Sequence, residues 1–331
     1  MTTQRISSGR SGPGVALAIV SAATFGTSGT FGASLIDSGW SPAAAVTTRI
    51  TVSALVLTVP ALIQLRGRWS LLRRSAWRVL AYGLIAVAGC QLFYFNAIKR
   101  MPVGVALLIE YLAVVLVVGW LWLAHGQRPR RRTIAGAVTS IAGLAMVLNL
   151  AGSARLSPVG VMWALLAAAG LAIFFVLSAG DDALPPVVMA WGGMCVGAVT
   201  MGVLGGSGAV AMSASTRDVD FVGHRVSFLV PVLGLSLVAA VISYVVAIAA
   251  ARRLGAKLAS FIGMAEVLFA VLFAWVLLGQ VPTPVQFAGG ALILAGVTLV
   301  RLDELRSAPP VPSLAQSPVR SRTPQLTDAD H

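Results

Sequence analysis

The stretch WLAHGQRP at residues 122–129 returns 153 residues later as WVLLGQVP at residues 275–282. The match continues without a gap over about residues 97–147 and 250–300, where matched positions include Arg100 with Arg253, Ala106 with Ala259, Ala135-Gly136 with Ala288-Gly289, and Ala142-Gly143 with Ala295-Gly296. Shared hydrophobicity does not explain the likeness, because the Gln and Pro of the turns match as well as the apolar residues. The sequence therefore predicts a duplicated unit.

The flanking sequence is too apolar for a soluble protein. Of the 331 residues, 57% are hydrophobic and 11% are charged, whereas about 25% of the residues of a soluble domain are charged. A membrane-spanning helix needs about 20 mostly apolar residues. Ten such stretches can be distinguished: Gly14–Ile36, Pro42–Leu65, Ala76–Ile98, Val103–His125, Thr133–Leu150, Val159–Ser178, Pro185–Leu204, Phe228–Ala251, Lys257–Leu278 and Pro284–Val300. The sequence predicts an all-α membrane protein with ten transmembrane helices.

The duplication divides these spans into two sets of five, over residues 14–150 and 157–302. Because five is odd, the two copies cross the membrane in opposite directions, as in the inverted repeats of many secondary transporters, and a binding site is expected between them near the midplane. Residues 1–13 and 303–331 are rich in Ser, Pro and Arg, which predicts disordered tails. The first apolar run continues past Ala22 and Ala23, which favours a retained span over a cleaved signal peptide.

The distribution of Lys and Arg predicts the orientation. With the N-terminus inside, eighteen of the 24 basic residues fall in cytoplasmic segments, five fall on the other side, and Arg49 lies within a span. Cytoplasmic segments of membrane proteins are enriched in Lys and Arg, so both tails are expected in the cytoplasm of a cell (inner or plasma) membrane protein. The net charge of +13 is then a topology signal, and no nucleic-acid partner is expected.

The order of several short motifs resembles the drug/metabolite transporter superfamily, in particular its EamA-type members with two EamA units. The motifs are Phe25-Gly26-Thr27-Ser28, Pro42 with Arg49, Asn96-Ala97, Met101-Pro102-Val103-Gly104-Val105-Ala106, Glu110-Tyr111-Leu112-Ala113, Glu266-Val267 and Leu278-Gly279-Gln280. The resemblance covers about residues 14–302 and implies ten helices and transport of small metabolites. The chain has Val114 and Val267 where the family often has Pro, and Gln127 and Gln280 where it usually has Glu.

Three charged residues lie inside predicted spans away from the span ends: Arg49, Glu110 and Glu266. A charge at this depth costs roughly 2.5–3.5 kcal/mol on insertion scales. At 1.5 Å per residue, Glu110 lies about 10 Å and Glu266 about 14 Å into its helix. We expect one or both glutamates to bind a cationic substrate group or a proton, and Arg49 to bind a substrate carboxylate or a glutamate. The alternative is structural: hydrogen-bonded carboxylates that hold helices in register, and an arginine that snorkels to the interface.

Aromatic and amide residues on other spans are further binding candidates. They are Gln91, Tyr94, Asn96, Tyr111, Trp163, Tyr244 and Phe261. Gln91 and Tyr94 are three residues apart and share a helix face. For each of these residues, packing is the alternative to binding.

Signatures of enzymes and of cofactor or metal sites are missing from the sequence. There is no Gly-x-x-x-x-Gly-Lys-Ser/Thr phosphate loop and no His-Glu-x-x-His or Cys-x-x-Cys pair, so no cofactor and no metal are expected. Gly26-Thr27-Ser28-Gly29 looks like the nucleophile motif of an intramembrane protease, but that chemistry needs a nearby His base. Close helix packing is the favoured interpretation of this stretch.

These features predict a secondary transporter, not an enzyme, that works by alternating access on small organic metabolites. The family resemblance implies an exporter of amino acids or related compounds, with a proton as a possible coupling ion. The alternatives are an exporter of lipophilic cations or drugs and, from another class, a membrane scaffold or an intramembrane hydrolase.

Overall fold

The computed structural model describes residues 11–98, 100, 103–147, 157–180, 184–278 and 281–307. The expected tails therefore fall mostly outside the described residues, as do Lys99, Arg155 and Gln280. Two short parts of the expected tails are described, and both are helical: residues 11–13 begin the first helix and residues 303–307 end the last one.

Helices account for most of the described chain. The α-helices are α1 Ser11–Gly26, α2 Ser28–Asp37, α3 Pro42–Leu65, α4 Trp69–Arg74, α5 Ala76–Ala81, α6 Cys90–Ile98, α7 Val103–Glu110, α8 Ala113–His125, α9 Arg131–Val147, α10 Pro158–Ser178, α11 Pro186–Gly206, α12 Leu229–Leu233, α13 Ser243–Gly263, α14 Ala265–Leu278 and α15 Pro284–Ser307. Two π-helical stretches continue directly from α-helices: the first π segment, Tyr82–Gly89, and the second π segment, Gly234–Ile242.

Within the described ranges, eight helices are long and apolar enough to cross a membrane. They are Gly12–Asp37, Pro42–Leu65, Ala76–Tyr94, Ala106–His125, Pro158–Ser178, Pro186–Gly206, Leu229–Gly263 and Pro284–Asp303. The count is below the ten expected for two reasons. Helix α9 has 17 described residues. The helical stretch from residue 229 to residue 263 joins nearly all of one predicted span to the start of the next across a kink at Gly255.

Local sequence explains where two of the longest helices begin. Ser41 and Ser157 are N-caps whose Oγ atoms accept hydrogen bonds from Ala44 N (3.2 Å) and Gly160 N (3.4 Å), and a proline follows each Ser at the first helical position. Proline is favoured there because its missing N–H would have no partner in the helix. Helix α3 ends at Leu65, and the next residue, Arg66, caps it with a left-handed φ of 45°.

Three spans are interrupted near their centres: α1 and α2 meet at Thr27, α7 and α8 at residues 111–112, and α13 and α14 at Met264. Short i to i+3 hydrogen bonds tighten the second and third breaks, with Leu112 N bonded to Ile109 O and Met264 N to Phe261 O. Both breaks form although Val114 and Val267 stand where the family often has Pro.

Helices α9 and α15 pack with their backbones in close contact. A Cβ atom added to Gly143 would lie 2.6 Å from Gly289 O, and one added to Gly136 would lie 2.7 Å from Gly296 O. Only a glycine fits such a distance without a shift of the backbone, so these four glycines set the spacing of the two helices.

A small hairpin is the one departure from an all-helical fold among the described residues. Strands β1 (Val219–Phe221) and β2 (His224–Val226) pair antiparallel between α11 and α12. The Phe221 ring stacks on Phe31 of α2 at 5.3 Å, and Trp40 donates a hydrogen bond to Ser215 O at 2.7 Å. The connection is thereby fixed to one end of the bundle, beside the start of α3.

Candidate functional site

A cavity of about 490 Å³ lies between helices from both halves of the chain. Seven of the ten predicted binding residues line it: Arg49, Gln91, Tyr94, Glu110, Tyr111, Tyr244 and Glu266. Small residues on α1, α2, α13 and α14 make room for it, including Gly26, Gly29, Gly32, Ala259 and Gly263. The cavity is therefore a mainly apolar space in which a few polar groups converge.

Each glutamate of the cavity accepts a hydrogen bond from a neighbouring side chain. Tyr111 donates its hydroxyl proton to Glu266 Oε2 at 3.0 Å, and the Cys90 thiol donates to Glu110 Oε1 at 3.4 Å. Helix breaks adjoin both carboxylates, because α7 ends at Glu110 and α14 begins one residue before Glu266. Both side chains remain partly exposed to the cavity, where they can accept hydrogen bonds from a bound cation.

Arg49 supplies a positive charge to the same cavity. Its Nη2 donates to Ala239 O at 2.7 Å, and its guanidinium lies 5.8 Å from the centre of the Phe25 ring. Its Nε is buried and has no hydrogen-bond partner among the described residues. An arginine has five N–H donors, so the residue has capacity for an additional acceptor.

Aromatic rings form the wall next to Arg49. The centre of the Tyr244 ring lies 5.1 Å from that of Phe25 and 5.5 Å from that of Phe174. The Phe174 ring packs edge to face against Phe175, with 5.2 Å between the ring centres. Gln91 Nε2 donates to the Tyr244 hydroxyl at 3.4 Å. Because residues 91 and 244 are separated by the 153-residue repeat offset, matched positions of the two halves touch inside the cavity.

The other three predicted residues do not line the cavity. Asn96 donates its side-chain amide to Leu92 O of its own helix at 2.9 Å. Trp163 stacks on Phe93 at 5.6 Å, and its Nε1 is buried without a partner among the described residues. Phe261 has 0% of its surface exposed and belongs to the main hydrophobic core.

Aromatic and thiol side chains that line the cavity but were not expected from the sequence include those of Phe25, Cys90, Phe174 and Phe175. Cys90 precedes Gln91 directly and lies four residues before Tyr94, so its helix position was the signal that could have identified it. Nothing in the local sequence distinguishes Phe25 or Phe174 from an ordinary core aromatic. Within the described part of the chain, no group of three or more His, Cys, Asp or Glu side chains could hold a metal ion.

Residues 12–149 and 158–302 each match the model of the EamA-like transporter family. The chain belongs to this family. Two units of the family thus account for nearly all the described residues, and the chain is a multi-pass membrane transporter of EamA type.

Two transporters are similar in sequence. The uncharacterized inner membrane transporter YicL of Salmonella typhimurium is 24% identical over 242 residues, which cover 71% of this chain and 76% of YicL. The aromatic amino acid exporter YddG of Ancylobacter novellus is 32% identical over 135 residues, which cover 40% of this chain and 46% of YddG. A solved crystal structure of a protein has the same fold, with a TM-score of 0.70 at 21% identity, over 89% of this chain and 98% of the other.

Proposed function

We propose that the chain crosses the membrane ten times, in two inverted five-helix repeats over residues 14–150 and 157–302. The 35-residue stretch Leu229–Gly263 has a length of about 52 Å at 1.5 Å per residue, whereas the hydrocarbon core is about 30 Å thick. Gly255 interrupts it with a φ of 80° and a ψ of 161°, a conformation that suits glycine. If the chain turns there, the residues on either side belong to two different spans, which raises the count from eight to nine. Helix α9 is the tenth span.

Reciprocal contacts support the inverted arrangement. Gly136 approaches Gly296 and Gly143 approaches Gly289, while the repeat offset pairs Gly136 with Gly289 and Gly143 with Gly296. When each residue is replaced by its counterpart in the other repeat, the contact between Gly136 and Gly296 becomes the contact between Gly289 and Gly143. A two-fold axis requires this relation. The two π segments give independent support, because they begin at residues 82 and 234 and end at residues 89 and 242, close to the same offset.

We infer that the cavity binds amino acids or related compounds for export by alternating access. The observation that carries this proposal is the combination of Arg49 with Glu110 and Glu266 in one cavity, because a zwitterion offers a carboxylate to the arginine and an ammonium group to a glutamate. The rings of Phe25, Phe174 and Tyr244 suit an apolar side chain, and one relative is named an aromatic amino acid exporter.

Export of a lipophilic cation is the second candidate. Two carboxylates beside aromatic rings suit such a ligand, but Arg49 would repel it. The two candidates therefore differ in what they require of Arg49. In either case we propose that a proton is the coupling ion, and that the protein is in the cell membrane with both termini in the cytoplasm.

A counterflow assay in proteoliposomes separates the candidates. Vesicles are loaded with unlabelled L-phenylalanine, and uptake of labelled L-phenylalanine is compared with uptake of labelled tetraphenylphosphonium into vesicles loaded with that cation. We expect counterflow of phenylalanine, and its loss in Arg49→Gln. Counterflow of tetraphenylphosphonium alone, unaffected or increased by Arg49→Gln, would replace the amino-acid proposal by the lipophilic-cation one.

A further inference from the structure

The second π segment is supported by side chains from a neighbouring helix. Arg49 Nη2 donates to Ala239 O at 2.7 Å, and Ser53 Oγ donates to Ser236 O at 3.0 Å. Both donors belong to α3, and both acceptors are main-chain carbonyls of the π segment. Because π-helical turns are rare and usually limited to one turn, a nine-residue segment needs such external support.

Arg49 is the only one of these two α3 donors that also lines the cavity. While its Nη2 is bonded to Ala239 O, its Nε stays buried and unpartnered among the described residues. A buried donor without a partner is costly, so a guanidinium that turns toward a carboxylate in the cavity gains a bond for Nε. Hydrogen bonds between two charged groups are roughly twice as strong as neutral ones, so a carboxylate competes well with the Ala239 carbonyl.

Among the described residues, no side chain of α11 donates a corresponding hydrogen bond to the first π segment, Tyr82–Gly89: Trp191 donates to Thr58 and Thr200 to Val196 O. α11 packs along the first π segment as α3 packs along the second. Counted from the first residues of these helices, Pro42 and Pro186, the counterpart of Arg49 is Gly193, which lies against the Tyr82 ring. Gly193 has no side chain that could reach a carbonyl. The arginine connection between cavity and π segment is therefore specific to one repeat.

We propose that Arg49 couples occupancy of the cavity to the second π segment. A carboxylate bound in the cavity draws the guanidinium away from Ala239 O, and the segment, having lost its charged donor, loosens. The proposal deepens the proposed function and rests on it, because it requires a substrate with a carboxylate group.

The consequence for the cavity follows from helix geometry. Tyr244 is the second residue after the π segment, and a change of register by one residue turns the following helix by about 100°. Such a turn moves the Tyr244 hydroxyl away from Gln91, to which it is bonded at 3.4 Å. Substrate binding would then release the contact between the matched positions of the two repeats.

Amide hydrogen exchange, read by mass spectrometry on the full-length protein in nanodiscs, tests the coupling first without substrate. In Arg49→Gln we expect exchange in residues 234–242 to rise severalfold, while residues 82–89 of the same molecule keep the wild-type rate. Arg74→Gln, the same change at an exposed position of α4, should leave both segments unchanged. The proposal would be overturned if residues 234–242 of Arg49→Gln exchanged at the wild-type rate. It would also be overturned if the exchange rates of both π segments rose equally.

A second arm uses the wild-type protein, so it does not depend on the folding of a variant. L-phenylalanine should raise exchange in residues 234–242, whereas phenethylamine, which lacks the carboxylate, should not. Binding of labelled phenylalanine is measured in the same nanodiscs. If phenylalanine binds but the exchange rate of residues 234–242 does not change, the coupling is overturned and the proposed function is left intact. If phenylalanine does not bind, the result counts against the proposed function, and the step that depends on a bound carboxylate falls with it.

Discussion

At the scale of single residues, the two glutamates of the cavity differ in the strength of their donors. Glu266 accepts from the Tyr111 hydroxyl at 3.0 Å, and Glu110 accepts from the Cys90 thiol at 3.4 Å. A hydrogen bond to a charged group contributes about 1.5–3 kcal/mol, whereas a thiol is a weak donor. The position of the Glu266 carboxylate therefore depends more on its donor than that of Glu110 does.

Tyr111→Phe should consequently impair transport more than Cys90→Ala. We expect the apparent KM for L-phenylalanine to rise about tenfold or more in Tyr111→Phe, since about 1.4 kcal/mol corresponds to tenfold, and to stay within about threefold in Cys90→Ala. Initial uptake rates in proteoliposomes over a range of concentrations give both values. The reverse order of effects would contradict this assignment of donors.

Replacing Glu266 itself tests whether it carries a proton. Glu266→Gln keeps the size and hydrogen-bonding capacity of the side chain but removes the group that could bind and release a proton. We expect the variant to lose accumulation driven by an imposed pH gradient while counterflow persists, and Glu110→Gln is assayed alongside it. Normal gradient-driven accumulation in Glu266→Gln would exclude a coupling role, and equal loss of both activities would assign the carboxylate to the substrate ammonium group.

At the scale of the elements, hydropathy predicts the long helices well and their interruptions not at all. Pro42–Leu65 has the same bounds in the prediction and in the structure, because its ends depend on a local cap and a local left-handed turn. The breaks beside Glu110 and Glu266 and the two π segments have no signal in the apolar pattern. For the second π segment the reason is that its support comes from Arg49 and Ser53, which lie 190 and 183 residues before the carbonyls they bind.

The same distinction applies to the cavity. Charged residues inside a span stand out in the sequence because their burial is costly, and Arg49, Glu110 and Glu266 all line the cavity. Aromatic residues do not stand out, since packing and binding require the same side chains. The prediction therefore included Trp163 and Phe261, which do not line the cavity, and omitted Phe25 and Phe174, which do.

The contact between α9 and α15 allows a matched pair of substitutions. In Gly143→Ala the new Cβ would lie 2.6 Å from Gly289 O, so the helices must move apart, and overpacking of this kind costs about 1–3 kcal/mol. Gly119→Ala, within α8, adds a Cβ that meets nothing within 4 Å. Thermal unfolding in detergent should show a lower Tm for Gly143→Ala and an unchanged or slightly higher Tm for Gly119→Ala, because Ala favours a helix. Equal values for both would show that the contact does not limit stability.

At the scale of the whole molecule, the basic segment around α4 and the hairpin lie at opposite ends of the bundle. The eighteen basic residues expected in the cytoplasm include the exposed Arg66, Arg68, Arg73 and Arg74 around α4. The connection with the hairpin bonds to Trp40 at the start of α3, whereas α4 follows the end of α3. Since α3 is a single uninterrupted helix of 24 residues, about 36 Å long at 1.5 Å per residue, the two regions are separated by the thickness of a membrane.

This separation makes the orientation testable with three reporter fusions. Phosphatase, active outside the cytoplasm, and a fluorescent protein, active inside it, are fused in parallel after Gly67, after Arg306 and after Gly208. The first two sites belong to the basic segments and should report the cytoplasm, because Lys and Arg retain their segments on that side. Gly208, at the start of the hairpin connection, should report the opposite side. If Gly67 and Gly208 report the same side, α3 does not cross the membrane; if all three reports are reversed, the basic residues do not determine the orientation of this chain.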